Sequence, residues 1–103
     1  MKKIVSFYYL NFPDKLPDDP SNANSEVYVE VGDENAKVNQ FDETFSFNVC
    51  TIEFVRNAIV KGGNKFLVLP SLILVERFDD DIIEKAIESV LNNIEIYGRK
   101  IGE

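Results

Sequence analysis

Residues 45–55 read FSFNVCTIEFV, and the period of their apolar side chains changes in the middle of the stretch. Phe45, Phe47 and Val49 alternate with small or polar residues, which predicts a strand at 45–50 with one buried face. Thr51 follows at once, and threonine is a favoured residue for capping the start of a helix. The stretch therefore predicts a strand that leads directly into a helix.

The helix after Thr51 is predicted to span 52–61. Ile52, Val55 and Ile59 recur at helical spacing, so one face of this segment is apolar. The run Lys61-Gly62-Gly63 then places a basic residue in the last turn and glycines beyond it, which is typical of a helix end.

Two further strands are predicted upstream. Residues 4–10 read IVSFYYL and are rich in β-branched and aromatic side chains, which predicts a central strand buried on both faces. Residues 25–31 alternate valine with glutamate or tyrosine, which predicts a half-buried strand. The segment 11–24 between them contains three prolines and is predicted to be a long loop, a common place for binding.

A strand at 71–77 and a helix at 80–96 are predicted downstream. The strand contains the run LILV, and Pro70 separates it from a second apolar run, FLVL at 66–69, which is either its partner or a connector. Any of the three aspartates at 79–81 can cap the helix. The helix carries one apolar stripe, formed by Ile83, Ala86, Ile87, Val90, Leu91, Ile94 and Tyr97.

The order of these elements predicts a single α+β domain over residues 1–103. We expect a mainly antiparallel sheet of about four strands with two helices packed on one face. The core is expected to contain residues from the predicted strands and the final helix, namely Phe47, Val49, Ile73, Val75, Ile87 and Val90.

Conventional catalytic groups are scarce. The chain has no histidine and one cysteine, Cys50, which excludes Ser-His and Cys-His pairs and Cys/His zinc sites within one chain. Cys50 precedes a helix, where a thiolate would be stabilised, but a buried strand-end residue is the simpler interpretation. No phosphate-loop pattern occurs. We therefore expect no enzyme activity, no cofactor and no metal, although an Asp/Glu-based or metal-dependent enzyme stays as a disfavoured alternative.

Negative charge is concentrated in one segment. Residues 14–43 carry nine acids against two lysines, a net of −7, which equals the net charge of the entire chain. This predicts a negative field on one side of the protein, which attracts basic partners and repels nucleic acid and anionic lipid. The lone cysteine, the lack of a signal-peptide pattern and the lack of a long apolar run predict a cytoplasmic protein without a membrane span.

Two segments carry a resemblance to a known family. The stretch at 45–55 resembles a signature of the immunity protein 8 family, a strand F-x-V-x-V-C followed by a Thr- or Asp-capped helix with an aromatic residue near its start. LILVERFD at 72–79 is similar to the family's later strand of type L-I-V-E-x-[FY]-[DN], which precedes the final helix. The resemblance covers about residues 41–97.

The resemblance implies an antidote protein that binds the cognate toxin domain of a polymorphic or contact-dependent toxin system. Many such toxins are nucleases with basic clefts, which an acidic protein would occlude. The charge and the long loop of residues 14–43, not the resemblance, indicate the expected contacts, which are Asp14, Asp18, Asp19, Tyr28, Glu30, Asp33, Glu34, Asp42 and Glu43. The alternative is an acidic protein-binding module of another kind, such as a phage-type inhibitor or an adaptor subunit. Neither nucleic acid nor a membrane is expected as a partner.

Overall fold

A computed structural model describes residues 1–37 and 40–102, and within them five strands form one sheet. In chain order the elements are β1 (Lys2–Tyr9), β2 (Asn24–Asp33), β3 (Glu43–Thr51), α1 (Ile52–Lys61), β4 (Leu72–Val75), α2 (Asp80–Ser89), a 3₁₀ turn (Leu91–Asn93), α3 (Ile94–Tyr97) and β5 (Arg99–Ile101). This confirms the predicted α+β class with its mainly antiparallel sheet.

β3 lies in the middle of the sheet and uses both of its edges. β2 pairs antiparallel with it along one edge, with Val27 opposite Phe47 and Val29 opposite Phe45. The other edge is shared: β4 pairs parallel with the C-terminal half of β3, and β5 pairs antiparallel with the N-terminal half. β5 was not predicted, because three residues are too few to show a strand period.

The prediction that the first strand is central is wrong, because β1 lies at the edge of the sheet and pairs with β2. Its apolar run is compatible with an edge strand because the two faces of the strand make different contacts. Tyr9 is buried and Phe7 is half-buried against the core, whereas Tyr8 is exposed and packs across the strands on Tyr28, with ring centroids 5.7 Å apart. In the sequence, an aromatic residue that packs on the outer face of the sheet gives the same pattern as a buried one.

The core lies between one face of the sheet and the C-terminal helices. The alternating residues of β2 and β3 are buried with Ile83 and Ile87 of α2 and Ile94 of α3 in one apolar cluster. The predicted burial is confirmed for four positions, Phe47, Val49, Val75 and Ile87. The other two, Ile73 and Val90, are half-buried and pack against this cluster.

The single helix predicted at 80–96 is broken at Val90. α2 ends at Ser89, and Val90 and Asn93 donate their N–H groups to carbonyls three residues back, which tightens the chain into a 3₁₀ turn. The break lets Ile94 be buried, whereas Tyr97, the last residue of the predicted stripe, is 54 % exposed.

Gly98 allows the chain to return to the sheet after this break. A Cβ atom at Gly98 would lie 2.9 Å from the ring of Phe47, which is closer than real contacts of this kind. Only glycine fits beside this core ring, and the next three residues form β5.

The junction between β3 and α1 forms as predicted. The Thr51 hydroxyl oxygen accepts hydrogen bonds from the N–H of Phe54 at 3.2 Å, which caps α1, and from the N–H of Ala23 at 3.1 Å. α1 itself contributes no buried residue. Residues 66–69 form a connector rather than a strand, with Phe66 and Val68 exposed.

We expect Phe47→Ala to lower the free energy of unfolding by about 3–5 kcal/mol, because the substitution opens a cavity in a fully buried site. Chemical denaturation measures this change. The matched control is Phe66→Ala, whose ring is 67 % exposed and whose loss should change the free energy by less than about 0.5 kcal/mol. Similar effects of the two substitutions would contradict the assignment of the core.

We expect Thr51→Val to cost about 1–3 kcal/mol, because valine keeps the volume but leaves two N–H groups without their acceptor. Thr44→Val on the same strand is the control, since Thr44 caps no helix. If both variants unfold at the same denaturant concentration, the hydroxyl of Thr51 does not hold the junction.

Candidate partner-binding surface

The structure divides the predicted acids between two ends of the sheet. Asp14, Asp18 and Asp19 lie in the loop before β2, whereas Asp33 and Glu34 lie at its far end. A strand of 10 residues separates the two groups by about 30 Å, at a rise of about 3.3 Å per residue. Asp42 lies at the far end too, since its N–H donates to the carbonyl of Val31. The acids therefore do not form one continuous surface.

The middle of β2 carries the two other predicted contacts, and both are half-buried on the outer face. The ring of Tyr28 packs on Tyr8, and the carboxylate of Glu30 accepts a hydrogen bond from the Ser6 hydroxyl. These side chains are bound to neighbours within the sheet. They are less available to a partner than the alternation alone implied.

Lysines offset the charge at the far end. Lys2 Nζ lies 2.9 Å from Glu43 and 3.1 Å from Glu95, and Lys100 Nζ lies 3.3 Å from Glu43. The hydrogen bond from Lys2 lowers the pKa of the Glu43 carboxyl, and the same contact raises the pKa of Lys2. Glu43, a predicted partner contact, is therefore engaged with two cations from distant parts of the chain.

At the near end, an aromatic cluster holds the long loop against the start of α2. Phe78 packs edge-on against Tyr9 and Phe12, with ring centroids 4.8 and 5.3 Å away. The Phe78 N–H also donates to the carbonyl of Pro20 at 2.6 Å. These contacts place residues 76–85 beside residues 11–23.

We call these two segments, 11–23 and 76–85, the acidic end. Together they carry eight acids and three bases, a net of −5. Asp79 caps α2 by accepting the N–H groups of Asp81 and Ile82, while Asp80 and Asp81 are exposed. The sequence indicated only that any one of these aspartates could cap the helix. Their place beside the loop depends on the packing of Phe78, so no sequence pattern indicated it.

Tyr9 and Asp80 link the strand and the helix at this end. The Tyr9 hydroxyl donates to Asp80 Oδ1 at 2.5 Å. Burial of Tyr9, reinforced by this hydrogen bond, raises the pKa of its phenol far above the usual range, so the group stays a neutral donor. Asp80 also lines a cavity of about 470 Å³ that is formed by β1, the loop after it and α2.

The surroundings of the thiol and of the described carboxylates bear on the chemistry available to the chain. Cys50 is 1 % exposed, and burial raises the pKa of its thiol, which is the opposite of an activated nucleophile. Among the residues that the structure describes, no three Asp, Glu, Cys or His side chains lie close enough together to hold a metal ion. The same residues form no helix that is both long and apolar enough to span a membrane.

Comparison with protein-family models, curated proteins and solved structures finds no match for this chain.

We expect Cys50 to react with a thiol reagent more than about 100-fold more slowly in the native protein than in the denatured chain, because reaction requires the core to open. A spectrophotometric assay of thiol modification at neutral pH with and without denaturant measures the ratio. Rapid modification of the native protein would show an exposed, ionised thiol.

Proposed function

We propose that this chain is an immunity protein that binds a cognate basic toxin domain in the cytoplasm and acts without catalysis. The toxin domain that we expect is a nuclease. The observation that carries the proposal is the acidic end, where −5 of the net charge of −7 is concentrated. The resemblance to the immunity protein 8 family at 45–55 and 72–79 supports the same function.

Electrostatics explains how such a protein would act. Basic nuclease clefts attract phosphate groups, and a surface with clustered carboxylates is attracted by the same field. Complementary charge raises association rates by 10–10³-fold at low salt, which favours capture of a toxin before it reaches its substrate. Occlusion of the cleft would then neutralise the toxin.

The predicted contacts differ in their position and in their ion pairs, so they do not support the proposed interface equally. Asp14, Asp18 and Asp19 belong to the acidic end and are exposed, and Asp80 and Asp81 join them there. Asp33, Glu34 and Asp42 lie about 30 Å away, and Glu43 is paired with lysines. The proposed interface is therefore centred on the acidic end, not on the entire 14–43 segment.

The second candidate is an acidic protein-binding module of another kind, such as a phage-type inhibitor or an adaptor subunit. The same charge distribution would serve it. Gene order separates the two candidates, since an immunity protein is encoded beside its toxin. Co-expression with the protein encoded immediately upstream, followed by co-purification, would favour immunity.

We expect reversal of charge at the acidic end to slow association with that toxin domain by at least about tenfold at low salt. The variant combines Asp14→Lys, Asp18→Lys and Asp81→Lys, all at exposed positions. Stopped-flow or surface-based kinetics at several salt concentrations measures the effect, and the wild-type rate should fall as salt rises.

The matched control reverses three exposed acids at the far end, with Asp33→Lys, Glu34→Lys and Asp42→Lys. Both variants change the net charge by the same amount. Any difference between their association rates is therefore due to the position of the charges and not to the total charge. Equal slowing by both variants, or a wild-type rate in the first, would reject the acidic end as the interface.

A further inference from the structure

β4 leaves one edge of the sheet open. The Asn48 N–H donates to the carbonyl of Ser71 at 2.9 Å, and Asn48 lies opposite Leu72 in the parallel ladder. Because the backbone groups of alternate residues in a strand point to the same side, those of Ile73 are directed toward β3 together with those of Ser71. The N–H and C=O groups of Leu72 and Leu74 therefore point away from the sheet, and no described backbone group bonds to them.

The side chains at this edge are apolar and exposed. Leu72 and Leu74 alternate with residues that pack on the core, so they lie on the outer face of the sheet, and they are 42 % and 53 % exposed. Phe66 and Val68, in the connector that leads into β4, are exposed as well. An open edge with apolar side chains is a template for pairing with another chain.

The opposite edge of the sheet is protected against such pairing, whereas β4 is not. β1 begins with Lys2 and Lys3, and its register shifts between Ile4 and Ser6. Lysines and bulges are features by which an edge strand resists the addition of another chain. β4 keeps an unbroken register with β3 and contains no charged residue. Addition of a strand is therefore favoured at β4.

The edge of β4 is complementary to a second copy of itself. In an antiparallel pair related by a two-fold axis at Ile73, Leu72 of each copy would lie opposite Leu74 of the other. Each of these facing pairs would exchange two hydrogen bonds, which uses all the outward backbone groups of both strands. The leucines would pack together on the outer face of the joined sheet, and the two Ile73 side chains would meet on the core face.

The charges on either side of β4 favour the antiparallel direction. Residues 76–81, which follow β4 and belong to the acidic end, carry four acids and one arginine, whereas residues 61–70, which precede it, carry two lysines and no acid. Antiparallel pairing brings the segment after β4 in one copy toward the segment before β4 in the other. A parallel arrangement would place the two acidic ends side by side. Charge complementarity therefore selects the two-fold arrangement.

We propose that the chain forms a symmetric dimer through antiparallel pairing of β4 with β4 of a second copy, so that the two sheets become one. A two-fold contact is closed, because each copy uses its open β4 edge on the other, and the assembly does not continue into a fibre. Dimer formation does not depend on the proposed function, since it involves only the edge of the sheet and the residues on either side of β4.

Sedimentation and hydrogen exchange on the wild-type chain test for this dimer. Between about 10 μM and about 1 mM protein, sedimentation should change from that of a monomer to that of a dimer, because a small interface gives a weak contact. Over the same range, exchange of the Leu72 and Leu74 amide hydrogens, followed by nuclear magnetic resonance, should slow by at least about fivefold. The amide of Asn35, which is exposed at the far end, should show no such change.

Charged residues at the two outward positions test the register. Leu72→Lys with Leu74→Lys would place like charges opposite each other in both facing pairs. The matched variant, Leu72→Lys with Leu74→Glu, would place opposite charges there and should dimerise at least about tenfold more tightly than the double-lysine variant. The double-lysine variant has the smaller net charge, so long-range repulsion between copies cannot produce this order. Circular dichroism checks that both variants are folded.

Two results would overturn the dimer. One is a wild-type chain that stays monomeric up to about 1 mM, with unchanged exchange at Leu72 and Leu74. The other is equal dimerisation of the two charge variants, since positions 72 and 74 would then not face each other. If the double-lysine variant does not fold, the exchange measurement on the wild-type chain decides.

Discussion

Both edges of β3 must be hydrogen-bonded, and the arrangement of the other strands follows from this requirement. The strand is buried, and a buried backbone group without a partner is costly. β2 satisfies one edge, but the other edge needs two separate segments, β4 and β5, that are distant in the chain. The parallel pairing of β4 requires a crossover connection, which α1 and residues 62–71 provide. β5 returns the C-terminus to the sheet.

This pairing also determines the charge at one end of the molecule. β5 brings Lys100 beside Glu43, and β1, as the edge strand, brings Lys2 to the same carboxylate. The acids at the far end are thus accompanied by cations from both ends of the chain. The net charge of −7 is therefore distributed unevenly. One end of the sheet is strongly acidic, whereas the other end carries acids and lysines together.

The acidic end in turn depends on core packing. Phe78 is buried between Tyr9 and Phe12, so a single apolar residue joins the edge strand, the long loop and the start of α2. Without that contact Asp79 would still cap the helix, but the aspartates at 79–81 would not lie beside the loop. Apolar packing therefore positions the charges that the proposed partner would meet.

Amino-acid patterns correctly predicted the elements whose signal is local. The alternation in β2 and β3, the cap at Thr51 and the glycines after α1 are patterns within a few residues, and each element lies where the patterns predict. The acidic segment was visible for the same reason. Tertiary structure alone decided which strands neighbour one another, that β1 lies at an edge, that the last helix breaks at Val90, and which acids meet lysines. These features depend on contacts between residues that are far apart in the chain. The spacing of residues within a short segment carries no information about the energies of such contacts.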